Sequence, residues 1–226
     1  MKLYSTLAAT AVLLFGIAGA SGAKATTINY VQDGDFSTPS VGGPFATYYS
    51  GSSMGSWKVE SGSVDLIGSY WQAPDSLSGT GSVDMDGMSP GSISQTLSLN
   101  PGNYVLTFAL SGNPDQNHDY DSNPLKTLRV LIGGVNTTFT FDTSVVGNSG
   151  GDMKYQLESI SFSVAGSGPQ SEVLSFMSGD SERSPFGAVI GKVSVTAVTP
   201  LPAALPMFLA ALLGTAGFVF YRRRYI

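Results

Sequence analysis

Tyr104-Val105-Leu106-Thr107-Phe108-Ala109-Leu110 alternates large apolar side chains with smaller ones at a strict period of two. In an extended chain successive side chains point to opposite faces. Tyr104, Leu106, Phe108 and Leu110 therefore share one face, and Val105, Thr107 and Ala109 the other. The first face is predicted to be core. The stretch follows Asn100-Pro101-Gly102-Asn103, a turn in which Pro presets φ and Gly tolerates a positive one.

Outward from this stretch, short alternating runs recur between turn clusters: Val64 to Ile67, Ser82 to Met85, Ile93 to Leu99, Leu128 to Ile132, Phe139 to Phe141, Ile160 to Val164, Leu174 to Met177 and Val189 to Val198. In one of them Ile160, Phe162 and Val164 point one way and Ser159, Ser161 and Ser163 the other, which predicts a strand with core on one side and water on the other. No sustained 3.6-residue apolar period appears before Leu205. About nine or ten strands of this kind predict an all-β sandwich. Ser37 to Ser56, Gly112 to Pro124 and Gly147 to Lys154 read as long polar loops, gathered at the sheet ends where binding sites commonly lie.

Both ends carry targeting patterns. Lys2, the apolar run Leu7 to Ala20 and Ala23-Lys24-Ala25 predict a secretory signal peptide over residues 1–25. At the other end, a proline-rich hinge at Thr199 to Pro206 leads into an uncharged span, 203–221, and then Arg222-Arg223-Arg224. About 19 residues at 1.5 Å each approach the thickness of a bilayer's hydrocarbon core, so 203–221 is predicted to be a transmembrane helix. The arginines place its C-terminal end in the cytoplasm and the domain before it outside. Residues 26–198 then form one exported domain, and 199–226 a C-terminal signal.

Between those segments six basic side chains face sixteen acidic ones, a formal −10 for residues 26–199 against −5 for the whole chain. Such a domain makes nucleic acid an unsuitable partner, because phosphate binding needs clustered Lys and Arg. The chain has no cysteine. Neither disulfides nor thiol chemistry contribute, and the core has to hold the domain.

The order of short motifs has a counterpart in a known family. Asp33-Gly-Asp-Phe36, Trp57, Ser63-Val-Asp-Leu-Ile67 with Tyr70-Trp-Gln72, Ser82-Val-Asp-Met-Asp-Gly87, Gly91-Ser-Ile-Ser-Gln95, Ser111-Gly-Asn-Pro-Asp115, Lys126-Thr-Leu128 and Phe139-Thr-Phe-Asp142 resemble the bacterial choice-of-anchor C proteins, which look like single-domain relatives of DUF642. That resemblance implies a galactose-binding-like jelly-roll β-sandwich, a fold that often holds a structural calcium ion. The tail, through Pro200, Leu201, Pro202, Ala203 and Ala204 with Arg222, Arg223 and Arg224, resembles a PEP-CTERM sorting signal. It implies processing by an exosortase-type enzyme. Two departures stand out. Gly187-Ala-Val-Ile-Gly-Lys-Val193 places Gly191 where the family pattern has Asp, and Gln116 to Asn123 enlarges a polar loop.

That loop carries oxygen ligands at alternate positions: Asp115, Asn117, Asp119, Asp121 and Asn123. Calcium takes six to eight such oxygens. The loop lacks the Gly and Glu of an EF-hand at the sixth and twelfth positions, where Tyr120 and Lys126 stand. A calcium site and a solvated acidic loop are both open readings. For carbohydrate, an aromatic ring lies against the apolar face of a sugar while amides or carboxylates fix its hydroxyls. Tyr70, Trp71, Gln72 and Tyr120 are the candidates, with Tyr48 and Tyr49 beside them in a Gly/Ser-rich stretch. Tyr70 and Trp71 point to opposite faces if extended, so only one needs to be core. Trp57 reads as core, whereas Trp71, leading into a loop, reads as an exposed edge with core packing as the alternative.

Asp84 and Asp86 share a side of one strand, at a separation that glycoside hydrolysis tolerates. An acid pair on a solvent face is the plainer reading. His118 is the lone histidine, with no Gly-x-Ser-x-Gly elbow and no phosphate loop to accompany it. The expectation is a non-enzymatic, exported domain at the cell envelope that associates with polysaccharide or a cell-surface glycan. A matrix protein binding protein partners is the alternative, and a polysaccharide-acting enzyme a third.

Overall fold

The computed structural model describes residues 28–74, 80–115, 123–180 and 184–198. Its strands are β1 Phe45–Tyr49, β2 Ser53–Met54, β3 Trp57–Ser61, β4 Ser63–Ile67, β5 Ser82–Asp84, β6 Ser92–Leu99, β7 Gly102–Gly112, β8 Leu125–Ile132, β9 Val135–Asp142, β10 Gln156–Val164, β11 Gln170–Ser178 and β12 Ala188–Ala197, with one helical turn, α1 Thr143–Val146, between β9 and β10. They form two six-stranded sheets, ordered β1-β4-β5-β12-β7-β10 and β2-β3-β6-β11-β8-β9. From β5 onward consecutive strands alternate between the sheets or pair at their edge, so that β5-β12-β7-β10 faces β6-β11-β8-β9. That order is a jelly roll.

The predicted alternation holds. Tyr104, Leu106, Phe108 and Leu110 are buried between the sheets, and so are Ile160, Phe162 and Val164. Phe108 meets Phe139 at 5.2 Å and Phe176 at 5.3 Å between ring centroids, both edge-on, and Trp57 lies 6.0 Å from Phe176. Edge-on aromatic pairs of this kind contribute about 0.5–1.5 kcal/mol each beyond the area they bury. These rings tie β3, β7, β9 and β11 into one core.

The expectation of a loop over Ser37 to Ser56 is corrected, because β1 and β2 lie inside it. Their side chains do not alternate cleanly between buried and exposed, so the period-two signal is absent. What makes β1 a strand is pairing with β4, in register from Phe45↔Ile67 to Tyr49↔Ser63. Ser111 and Ala109, on the outer face of β7, are also buried. The segment before β10 covers them: Asn148 Nδ2 donates to the Gly112 carbonyl at 2.7 Å, and Ser111 Oγ donates to the Met153 carbonyl at 2.5 Å. Under this cover Ile67, Trp71, Met153 and Val189 form a second, smaller apolar cluster.

Gly191 has a local reason to be glycine. A Cβ there would approach Pro74 Cγ to 2.3 Å, so a carboxylate side chain does not fit without moving the Pro74 segment. Next to it Lys192 takes a positive φ of 52°, and the β12–β7 register shifts between Gly191 and Ser194. Among the described residues no helix is long and apolar enough to cross a membrane. The predicted signal peptide, the span 203–221 and Pro200 to Ala204 lie outside the described residues.

Candidate functional site

Thr47, Asp65, Asp84, Val189 and Ser111 occupy one cross-strand row over β1, β4, β5, β12 and β7. Val64, Leu66, Val83 and Ile190 beside them belong to the inner core, so this row lies on the outer face of the sheet. Two carboxyl groups thus stand side by side on a surface that loops then cover. Over them lies a pocket of about 150 Å³, walled by Phe45, Tyr70, Trp71 and Phe186 and carrying Asp65, Asp84, Asn113 and Asp115 on its lining.

Asp84 is 1% exposed and held by three donors. Its Oδ1 accepts from the backbone N–H of Asp86 and of Gly187, both at 3.0 Å, and its Oδ2 from Asn113 Nδ2 at 2.6 Å. Burial first, and the neighbouring Asp86 second, push its carboxyl well above the usual range. Asn113 in turn accepts from the Asp115 N–H at 2.8 Å, which fixes the start of the following loop. Asp65 is partly covered, and burial raises its pKa too. Its Oδ1 is buried with no hydrogen-bond partner.

Part of the aromatic wall comes from Tyr70 and Trp71, three and four residues past the end of β4. Tyr70 is 47% exposed, and its hydroxyl donates to Asp115 Oδ2 at 2.5 Å; that bond is the main cause of its raised pKa. Phe45, also 47% exposed, meets the Tyr70 ring edge-on at 5.6 Å. Tyr70 and Trp71 lie in a bend beyond β4, with their rings 5.3 Å apart between centroids, and the indole is the one that packs inward. The exposed-edge reading of Trp71 is corrected: it is 6% exposed, packs in the smaller apolar cluster and donates Nε1–H to Ser82 Oγ at 3.0 Å. Only its margin lines the pocket. Gln72 points into the covering segment, where its Oε1 accepts from Met153 N–H at 3.3 Å and its carbonyl from the Tyr155 hydroxyl at 3.1 Å. Burial pushes that Tyr155 phenol up to about 12.

The solvent-face reading of Asp84 and Asp86 is corrected as well. Strand β5 ends at Asp84, so the two-residue alternation no longer governs Asp86. Asp86 is fully buried, and its carboxyl interacts with Ser178 and Lys126 of the opposite sheet and with Asp180 just past β11. Neither oxygen makes a hydrogen bond of good geometry. Burial raises its pKa to about 7. Lys126 is 2% exposed because it shares the inward face of β8 with Leu128, Val130 and Ile132. Extending that alternation back by one step reveals it in the sequence.

Of the predicted sites, then, Tyr70, Trp71 and Asp115 meet at one pocket, and Gln72 supports its rim. Tyr48 is half-buried and packs against the core, while Tyr49 is exposed. Tyr120, Asn117, Asp119 and Asp121 lie outside the described residues. Among the described residues no group of three or more His, Cys, Asp or Glu side chains is arranged to hold a metal ion. Phe45, Met88 and Phe186 are not among the sequence candidates. Nothing in their local sequence marks them as site residues, and only the fold brings them beside Tyr70.

At 32% identity over 127 residues, the chain is similar to Halomucin of Haloquadratum walsbyi (strain DSM 16790 / HBSQ001). The match covers 53% of this chain, which spans about 1% of the length of that curated relative. Similar solved structures include TmCBM61 in complex with beta-1,4-galactotriose, at 16% identity and a TM-score of 0.43, covering 76% of this chain and 99% of that one. A native family 35 carbohydrate binding module from Clostridium thermocellum matches at 13% identity and 0.40, covering 68% and 99%. A cyclase from Fischerella sp. TAU matches at 13% identity and 0.49, covering 76% and 98%. The family described as a protein of unknown function, DUF642, matches residues 29–196, nearly all of the sandwich, and the chain belongs to that family.

Proposed function

We propose that this chain is a non-enzymatic carbohydrate-binding protein, and that the pocket over the outer face of β4 and β5 receives a sugar unit. One observation carries the reading: two half-exposed rings, Phe45 and Tyr70, stand over a pocket whose polar lining is already oriented by protein hydrogen bonds. A pyranose presents an apolar face to such rings and hydroxyls to Asp65, Asn113 and Asp115. Sites of this type are largely preformed and use few polar groups. Hydrolysis is disfavoured, because Asp84 has its oxygens engaged by three protein donors and Asp86 faces the opposite sheet. Neither presents a carboxyl group to a glycosidic bond in the way two-carboxylate catalysis requires.

The test is a glycan array with the purified full chain, followed by calorimetry on the best ligand. Tyr70→Ala is expected to weaken binding at least tenfold, a loss of about 1.4 kcal/mol. Absence of any glycan binding, or binding that Tyr70→Ala leaves intact, overturns the proposal. A second part of the reading concerns delivery. The signal-peptide pattern, the uncharged span 203–221 and Arg222 to Arg224 support export to the cell envelope. Pro200 to Ala204 supports exosortase processing near the hinge. Intact mass of the mature protein tests this, and a species that retains Leu205 to Ile226 overturns the processing step.

A further inference from the structure

A pocket of about 150 Å³ falls short of the roughly 300–1,000 Å³ typical of ligand sites. Beside it lies a larger depression of about 360 Å³. The two share Ile67 as a wall. They are divided by a narrow ribbon in which Gly68 N–H donates to the Pro44 carbonyl at 2.8 Å and Tyr70 N–H to the same carbonyl at 3.2 Å. We propose that this depression is a second sugar subsite, so that the chain binds an internal stretch of a neutral glycan rather than a single unit. The inference rests on the carbohydrate reading of the aromatic pocket.

The chemistry of the depression fits a neutral sugar. Among the described residues no charged side chain lines it; Ser37, Ser40, Ser69 and Thr80 bring hydroxyls, and Gly42 and Gly43 expose backbone. A Cβ on Gly42 or Gly43 would meet nothing within 4 Å, so the missing side chains leave open space where a ligand can approach the main chain. Gly68 and Gly81 differ: a Cβ there would lie 2.5 Å from the Gly43 carbonyl oxygen or 2.6 Å from that of Phe36, so those walls are closely packed backbone. The far wall is held in place. Phe36 is 2% exposed and packs 5.5 Å from Trp57, and Asp33 Oδ1 accepts from Thr38 N–H at 3.0 Å. A preformed wall loses little freedom on binding.

Calorimetry of the full chain with neutral β-linked gluco-, galacto-, manno- and xylo-oligosaccharides of one to six units tests the inference. Affinity is expected to rise at least tenfold between one and four units of the preferred series. Gly42→Trp, whose Cβ would meet nothing within 4 Å, brings an indole into that space and is expected to remove that gain. It should leave affinity for the single unit within twofold, whereas Tyr70→Ala weakens every length. Length-independent affinity overturns the second subsite and leaves the carbohydrate reading standing. No affinity for any series overturns both. The length series on the unmodified chain decides the matter even if Gly42→Trp does not fold.

Discussion

Asp86→Asn should abolish a pH dependence of stability that the native chain carries. Asp86 is fully buried beside Asp180, and burial raises its pKa from 3.8 to about 7. A folded-state pKa above the unfolded one means that the folded chain holds the proton more tightly. The associated stability is complete below about pH 3.8 and is lost as pH rises through about 7. Integrating the proton difference between pH 5 and pH 8 gives a loss of about 2.5 kcal/mol. With a urea slope of about 2 kcal/mol per molar, the unfolding midpoint of the native chain falls by about 1 M over that interval. Asparagine keeps the shape and carries no charge, so the variant should lose that share of the slope. Asp33 and Asp65 are also raised and remain in both proteins, so they cancel in the comparison, whereas Asp84, raised in part by Asp86, relaxes with it, and the difference reports Asp86 together with that coupling. Urea unfolding followed by tryptophan fluorescence at pH 5 and pH 8 measures it. Equal pH slopes in the two proteins, or a native chain more stable at pH 8, refute the reasoning.

Two other outcomes follow from the geometry. Gly191→Asp should destabilise the domain by about 1–3 kcal/mol, lowering its melting temperature by several degrees, because the new Cβ meets Pro74 Cγ at 2.3 Å; calorimetric scanning checks this. Among the described residues the aromatic pocket has Asp65, Asp84 and Asp115 on its lining and no Lys, Arg or His. A uronate about 5 Å from one such charge is opposed by about 3 kcal/mol at an effective dielectric of 20. The uronic acid form of the preferred sugar should therefore bind more than tenfold more weakly in low salt, and the gap should narrow as salt is added.

Strand content, the inward face of β7 and the inward face of β10 were legible from residue order, because alternation depends only on neighbours along the chain. Tyr104 to Leu110 and Ile160 to Val164 behave as their spacing dictates. Alternation does not govern Tyr70 and Trp71, which lie in a bend beyond β4; the burial of Trp71 depends on Met153 and Val189, distant in sequence and packed against the indole. Residue order also specified the absence of disulfides and the acidic balance of the domain. It left undetermined what covers the outer face of a strand. Asp84 looks like a solvent-face acid until Asn113 and Gly187 close over it, and Asp86 until β5 ends and the chain crosses toward Lys126 and Asp180. Phe45 and Phe186 lie about 140 residues apart in the chain and become neighbours of Tyr70 only through the pairing of β1 with β4 and of β12 with β5. Periodicity is local and survives in the sequence. The pocket is a product of long-range antiparallel pairing, whose partners no short stretch of sequence names.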